Sequence, residues 1–69
     1  MKQTDRIVRH LKDYGSLSTK EAMEEYGIFR LASRIDELRK AGYSITTRMI
    51  TGHNRYNEKT KYARYVLEA

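Results

Sequence analysis

Apolar positions recur along the chain with two periods, and the change falls at Gly42. Before it the spacing is three and four, the mark of amphipathic helices; after it apolar and polar residues alternate, the mark of strands. Ile7, Val8, Leu11 and Tyr14 share one face and predict a short helix from about Gln3 to Tyr14, started by Gln3 or Thr4. Ser16-Leu17-Ser18 steps polar–apolar–polar, as a very short strand would. Ser18 followed three residues later by Glu21 is a capping box, in which each side chain satisfies a backbone N–H at a helix start. The helix it opens holds Ala22, Met23 and Tyr26 and stops at Gly27. At about two turns it persists only when packed on its neighbours. Ile28, Leu31, Ala32, Ile35 and Leu38 predict a third helix over about Phe29 to Ala41. Arg39 and Lys40 fall in its last turn, where positive charge suits the helix dipole.

Beyond Gly42, Tyr43, Ile45, Thr47 and Met49 alternate with Ser44, Thr46, Arg48 and Ile50, a composition suited to a strand. Lys61 to Leu67 alternates again, with Ala63, Tyr65 and Leu67 on one face and Tyr62, Arg64 and Val66 on the other. The polar stretch from Thr51 to Thr60 between them reads as the long loop of a β-hairpin. The predicted order is helix, short strand, helix, helix, strand, long loop, strand, in one α+β domain spanning residues 1–69. A two-stranded hairpin is marginal alone in water, so helices and sheet must complete one shared core. Tyr14, Tyr26, Tyr43 and Tyr65 are expected in that core or at its edge, and Tyr56 and Tyr62 outside it.

Composition narrows the function. A chain of 69 residues has one small core. It contains no cysteine, which removes disulfides and thiolate metal sites. No apolar run is long enough to span a bilayer, and the charged start MKQTDRIVRHLKDYG has no signal-peptide character, so a soluble intracellular protein is expected. His10 and His53 lie far apart in sequence, without a carboxylate at ligand spacing. There is no phosphate-cradling glycine loop and no serine in a nucleophile motif. Asp36 and Glu37 are adjacent on a helix and point apart. An enzyme, a metal or cofactor, and a small-molecule ligand are therefore not expected. The net charge of +5 favours a polyanionic partner. Residues 1–15 carry +2, residues 16–27 carry −2, residues 28–42 carry +2 and residues 43–69 carry +3, so the excess surrounds one acidic segment.

Two helices joined tightly at Gly27 form a helix-turn-helix candidate, whose second helix would lie in a DNA major groove. Its polar face carries Arg30, Ser33, Arg34 and Glu37. Arginine pairs with guanine in a bidentate way. The hairpin tip, about residues 51–61, offers His53, Asn54, Arg55, Tyr56, Asn57, Lys59 and Lys61 to phosphates or a minor groove. Thr19 and Lys20 begin the second helix, where free N–H groups favour an anion. Gln3 and Thr4 do the same on the first. A solvated helix face, an exposed loop and plain capping are the alternative readings of these three features.

The stretches QTDRIVRHLKDYGSLSTKEAMEEYGIFRLASRIDELRKAGYSITT and KYARYVL resemble the winged helix-turn-helix domains, and more closely the short helix-turn-helix proteins of phage and bacterial genomes. The most specific part is GIFRLASRIDELRKAGYSI. The resemblance implies three helices with a C-terminal two- or three-stranded antiparallel β-hairpin wing, binding double-stranded DNA through the third helix and the wing. The leading expectation is a cytoplasmic transcriptional regulator of a phage or mobile element. An excisionase-like architectural protein and a protein-interaction module are the alternatives. Arg30 and Ser33 are the first choices for base readout. Arg34 falls in a pattern general to the group and reads as a phosphate contact or a partner of Asp36 or Glu37 ahead of a base reader. Gly27 follows Ala22 by five positions, where compact phage-repressor turns use four. A domain this small reads few base pairs, so a homodimer or cooperative tandem binding is expected on DNA.

Overall fold

The computed structural model of the chain describes residues 2–68. They form three helices and three strands, in the order α1 (Gln3–Tyr14), β1 (Ser16–Ser18), α2 (Thr19–Tyr26), α3 (Leu31–Lys40), β2 (Ile45–His53) and β3 (Lys59–Leu67). The strands make one antiparallel sheet in the order β1-β3-β2. The short first strand thus completes the C-terminal hairpin to three.

Pairing sets which side chains face the helices. Leu17 sits opposite Tyr65, Thr47 lies opposite Tyr65 on the other side, and Ile45 opposite Leu67. Leu17 and Ile45, with Tyr65 and Leu67 partly buried beside them, therefore present one apolar face. Ile7 and Leu11 of α1, Ala22 of α2, and Ile28, Leu31, Ile35 and Leu38 at α3 close over it. Leu17 is fully enclosed, although its strand is only three residues long. Burying a leucine contributes about 1.5–3 kcal/mol, a large share for a core this small.

Local chemistry sets the helix ends. Ser18 Oγ accepts from the Glu21 N–H at 3.2 Å, and Glu21 Oε1 accepts from the Ser18 N–H at 3.0 Å, completing the capping box. At the far end of α3 the Tyr43 N–H reaches the Leu38 carbonyl at 3.0 Å and the Gly42 N–H reaches Arg39 at 3.1 Å. This two-bond closure needs a left-handed residue, and Gly42 supplies it with φ +104°. His10, buried between α1 and β1, can only donate from Nε2 to the Ser16 carbonyl, at 3.1 Å. That leaves Nδ1 to accept the Tyr26 hydroxyl at 2.5 Å, which ties α2 to α1. The Arg6 guanidinium lies over the Tyr26 ring.

Several sequence expectations need correction. Lys2, not Gln3 or Thr4, is the N-cap of α1, and it makes no side-chain cap. Helix α3 begins at Leu31 rather than Phe29. Arg30 is its N-cap, with non-helical angles, and Phe29 is 72% exposed. Ala32 is exposed, because it sits roughly 100° around the helix from Leu31 and outside the stripe of Leu31, Ile35 and Leu38. Tyr14 and Tyr43 are exposed, since each stands where the chain leaves a helix and turns away from the core. Tyr26 and Tyr65 are at the core edge as expected. The long loop is shorter than its composition implies: the strands pair as far as His53 with Lys59, leaving residues 54–58 as the bend.

Leu17→Ala should remove roughly 2–5 kcal/mol, comparable with all that a core of this size supplies. Far-UV circular dichroism at room temperature should show it unfolded. Ser18→Ala should cost about 1 kcal/mol and lower the melting temperature while leaving a cooperative transition.

Candidate nucleic-acid interface

Helix α3 turns Leu31, Ile35 and Leu38 inward, which leaves Ala32, Ser33, Asp36, Glu37, Arg39 and Lys40 exposed. Ser33 and Glu37, four residues apart, share one outward face. The charges on this helix are mostly occupied. Arg34 is half-buried, and its Nη1 donates to both Glu37 oxygens, at 3.0 and 2.8 Å. Its Nε is buried with no hydrogen-bond partner. Lys40 stands 3.6 Å from Asp36. Arg39 reaches across to β2, donating from Nε to the Ile45 carbonyl at 2.9 Å and from Nη2 to Thr47 Oγ1 at 3.0 Å. Arg30, exposed at the start of the helix, makes no side-chain hydrogen bond or ion pair among the described residues. Of the two partners that the sequence offers Arg34, the structure selects Glu37 over Asp36.

The hairpin is a ribbon that runs beyond the helices. In its distal part Met49 pairs with Ala63, Thr51 with Lys61 and His53 with Lys59. By the alternation of a strand these residues continue the helix-covered face that begins at Ile45 and Tyr65. His53, Lys59 and Lys61 therefore sit on strands, with the two lysines on one face, rather than in a loop. Asn54 closes the bend from within. Its Oδ1 accepts from the N–H groups of Tyr56 and Glu58, at 2.9 and 3.0 Å, and its Nδ2 donates to Glu58 Oε1 at 3.1 Å. Asn57 takes a left-handed φ of +63° there. Arg55 and Tyr56 stand exposed at the tip. Asn54 is thus engaged at both ends of its amide, an arrangement the sequence hinted at only through its Asn-rich composition.

The start of α2 meets the ribbon. Thr19 and Lys20 are exposed and line a cleft with His53 and Tyr62. Lys20 is 4.0 Å from Glu24. The base of this cleft is an ion pair that periodicity did not reveal: Arg64 Nη2 donates to Glu21 Oε1 at 2.6 Å and its Nε to Ser16 Oγ at 3.1 Å. Its only sequence signal is that Arg64 and Ser18 fall opposite one another once β1 and β3 are in register. Among the candidate residues, the fold joins Arg34 to Glu37 and gathers Thr19, Lys20 and His53 around one cleft. It leaves Arg30 and Ser33 on the helix, and Arg55 at the tip, without such contacts. No helix among the described residues is long and apolar enough to cross a membrane.

Residues 2–69 match the family model of the winged helix-turn-helix domain. No curated protein and no solved structure matches the chain.

Burial alone raises the Glu21 pKa, but the Ser18 N–H, the Arg64 guanidinium and the Ser18 hydroxyl outweigh it, and the carboxyl ends below its ordinary value of 4.5. A depressed carboxylate contributes its full stability above the unfolded value and loses it as pH falls through the folded one. Urea melts should therefore show stability declining from about pH 5 downward. Glu21→Gln, less stable at neutral pH, should give a flatter profile across that window.

Proposed function

The chain belongs to the winged helix-turn-helix family, and from that premise we propose that it binds double-stranded DNA sequence-specifically, as a transcriptional regulator of a phage or mobile element. In this reading α3 enters the major groove and the wing lies on the flanking backbone. The observation that carries it is the state of the α3 cations. Arg34, Lys40 and Arg39 each have a partner within the fold, whereas Arg30 is exposed without one, beside the small residues Ala32 and Ser33. A free guanidinium at the leading end of a helix, with small side chains next to it, suits bidentate pairing with a guanine edge.

Arg34 acts here as the residue that fixes Glu37. Both Glu37 oxygens are taken, so that carboxylate meets the groove only at an angle Arg34 sets. Lys59, Lys61, His53 and Arg55 serve as backbone or minor-groove contacts, and Thr19 and Lys20 as a phosphate contact at the start of α2. Asn54 shapes the tip that presents them. One such domain covers few base pairs, so two copies bind together, as a dimer or in tandem on the DNA.

Selection of binding sites from random duplex DNA, followed by fluorescence anisotropy across a salt series, tests this directly. Neutralising about five phosphates should give a slope of log K against log salt near −4 to −5. Arg30→Ala should lose roughly 1–3 kcal/mol on the selected site and little on random duplex. Lys61→Ala should weaken both equally and make the slope shallower. A flat salt response, or no enriched sequence, counts against the reading; equal losses for Arg30→Ala on both duplexes make it a phosphate contact instead.

A further inference from the structure

The sheet has a second face, opposite the core, which the helices meet only along its β1 edge, where Glu21 of α2 reaches Arg64. Pairing places Thr46 beside Val66 and Ser16, Arg48 beside Arg64 and Ser18, and Ile50 beside Tyr62 on the face opposite the core. Ile50 and Val66 are only half-buried there, and Tyr62 is exposed. Tyr14, 74% exposed at the end of α1, stands over this face. With Ser16, Arg48, Ile50, Arg64 and Val66 it lines a shallow groove.

The charges in that groove are unbalanced. Arg48 lies directly across from Arg64, and like charges in that relation destabilise a sheet. Arg64 is compensated by Glu21 at 2.6 Å. Arg48 makes no ion pair or side-chain hydrogen bond among the described residues. Glu68, at the far end of the same face, accepts from the Thr46 hydroxyl at 2.9 Å. The fold thus holds an uncompensated guanidinium beside another guanidinium, on an apolar floor with an aromatic wall.

We propose that this open face docks an acidic segment of a second protein. A carboxylate of that segment pairs with Arg48, and a neighbouring apolar side chain packs between Tyr14 and the Ile50–Val66 floor. Charge complementarity chooses this occupant. A second copy placed face to face would set Arg48 and Arg64 against the same two residues. Duplex DNA would match the cation but leave Ile50, Val66 and Tyr14 against phosphates. Because α3 packs on the opposite face of the sheet, the segment and a duplex can be held at once.

The test is a selection from a random peptide display library on the full chain, followed by anisotropy titrations with the enriched peptides. The expected peptides carry Asp or Glu beside Leu, Ile or Phe. Their affinity should fall at least tenfold with Arg48→Glu and with Tyr14→Ala, and stay unchanged with Arg30→Ala. A peptide with its acidic residue changed to arginine should recover binding to Arg48→Glu. That variant places a carboxylate opposite Arg64, so its melting temperature should match or exceed that of the parent. Three results overturn the proposal. They are enriched peptides that lack acidic residues or ignore Arg48→Glu; displacement of the peptide by duplex DNA; and a loss of duplex binding with Arg48→Glu as large as that with Arg30→Ala, which makes the face a nucleic-acid contact.

Discussion

A single carboxylate oxygen joins the two halves of this molecule. Glu21 Oε1 accepts from the Ser18 N–H at the start of α2 and from Arg64 in the middle of β3. Ser18 is also the last residue of β1 and pairs with Arg64 across the sheet. Strand pairing, helix initiation and the base of the wing therefore converge on a few atoms. The pair is partly exposed, so its contribution to stability is modest. Its larger effect is on direction, because the oxygen that caps α2 also holds Arg64 of the ribbon. Arg39 does the same for α3, tying its last turn to the first residues of β2. Both fastenings tie the helix-turn-helix to the sheet that carries the wing.

This arrangement suits a chain with little core to spend on rigidity. Three residues of β1 bring Leu17 into the centre, and the same three carry the hydrogen bonds that start α2 and receive His10. Short elements that could not persist alone become specific because each side chain serves two neighbours. His10 shows the principle: one ring nitrogen reads the backbone of β1, the other the tyrosine that ends α2.

Much of this was legible in the sequence, and the reason is local. The capping box, the three helices, the short first strand and the stop at Gly27 depend on residues within a few positions of one another. The pairing of Arg34 with Glu37, three residues apart, is of the same kind. What the sequence hid depends on residues far apart. Thr51, Gly52 and His53 look like loop, yet pairing with Lys61, Thr60 and Lys59 makes them strand. Tyr14 fits a helical face, but nothing local says that the chain turns away before the core reaches it. The Arg48–Arg64 opposition and the Arg64–Glu21 pair exist only once the register is fixed. Ala32 misled because a small apolar residue beside a stripe reads as part of it. Composition and spacing could name cations on α3, but only the packed helix distinguishes Arg30 from those already engaged.

The bend at the tip of the ribbon is self-sufficient, since Asn54 holds it with bonds to residues 56, 57 and 58. Such a bend can be carried outward on longer strands without being rebuilt. Strand alternation restricts how. One added residue per strand would turn the whole tip over and aim Arg55 the other way, whereas two per strand would restore its bearing about 7 Å farther out. Inherited variation in the reach of this appendage should therefore accumulate in steps of four residues, and odd insertions should survive only where a bulge absorbs them.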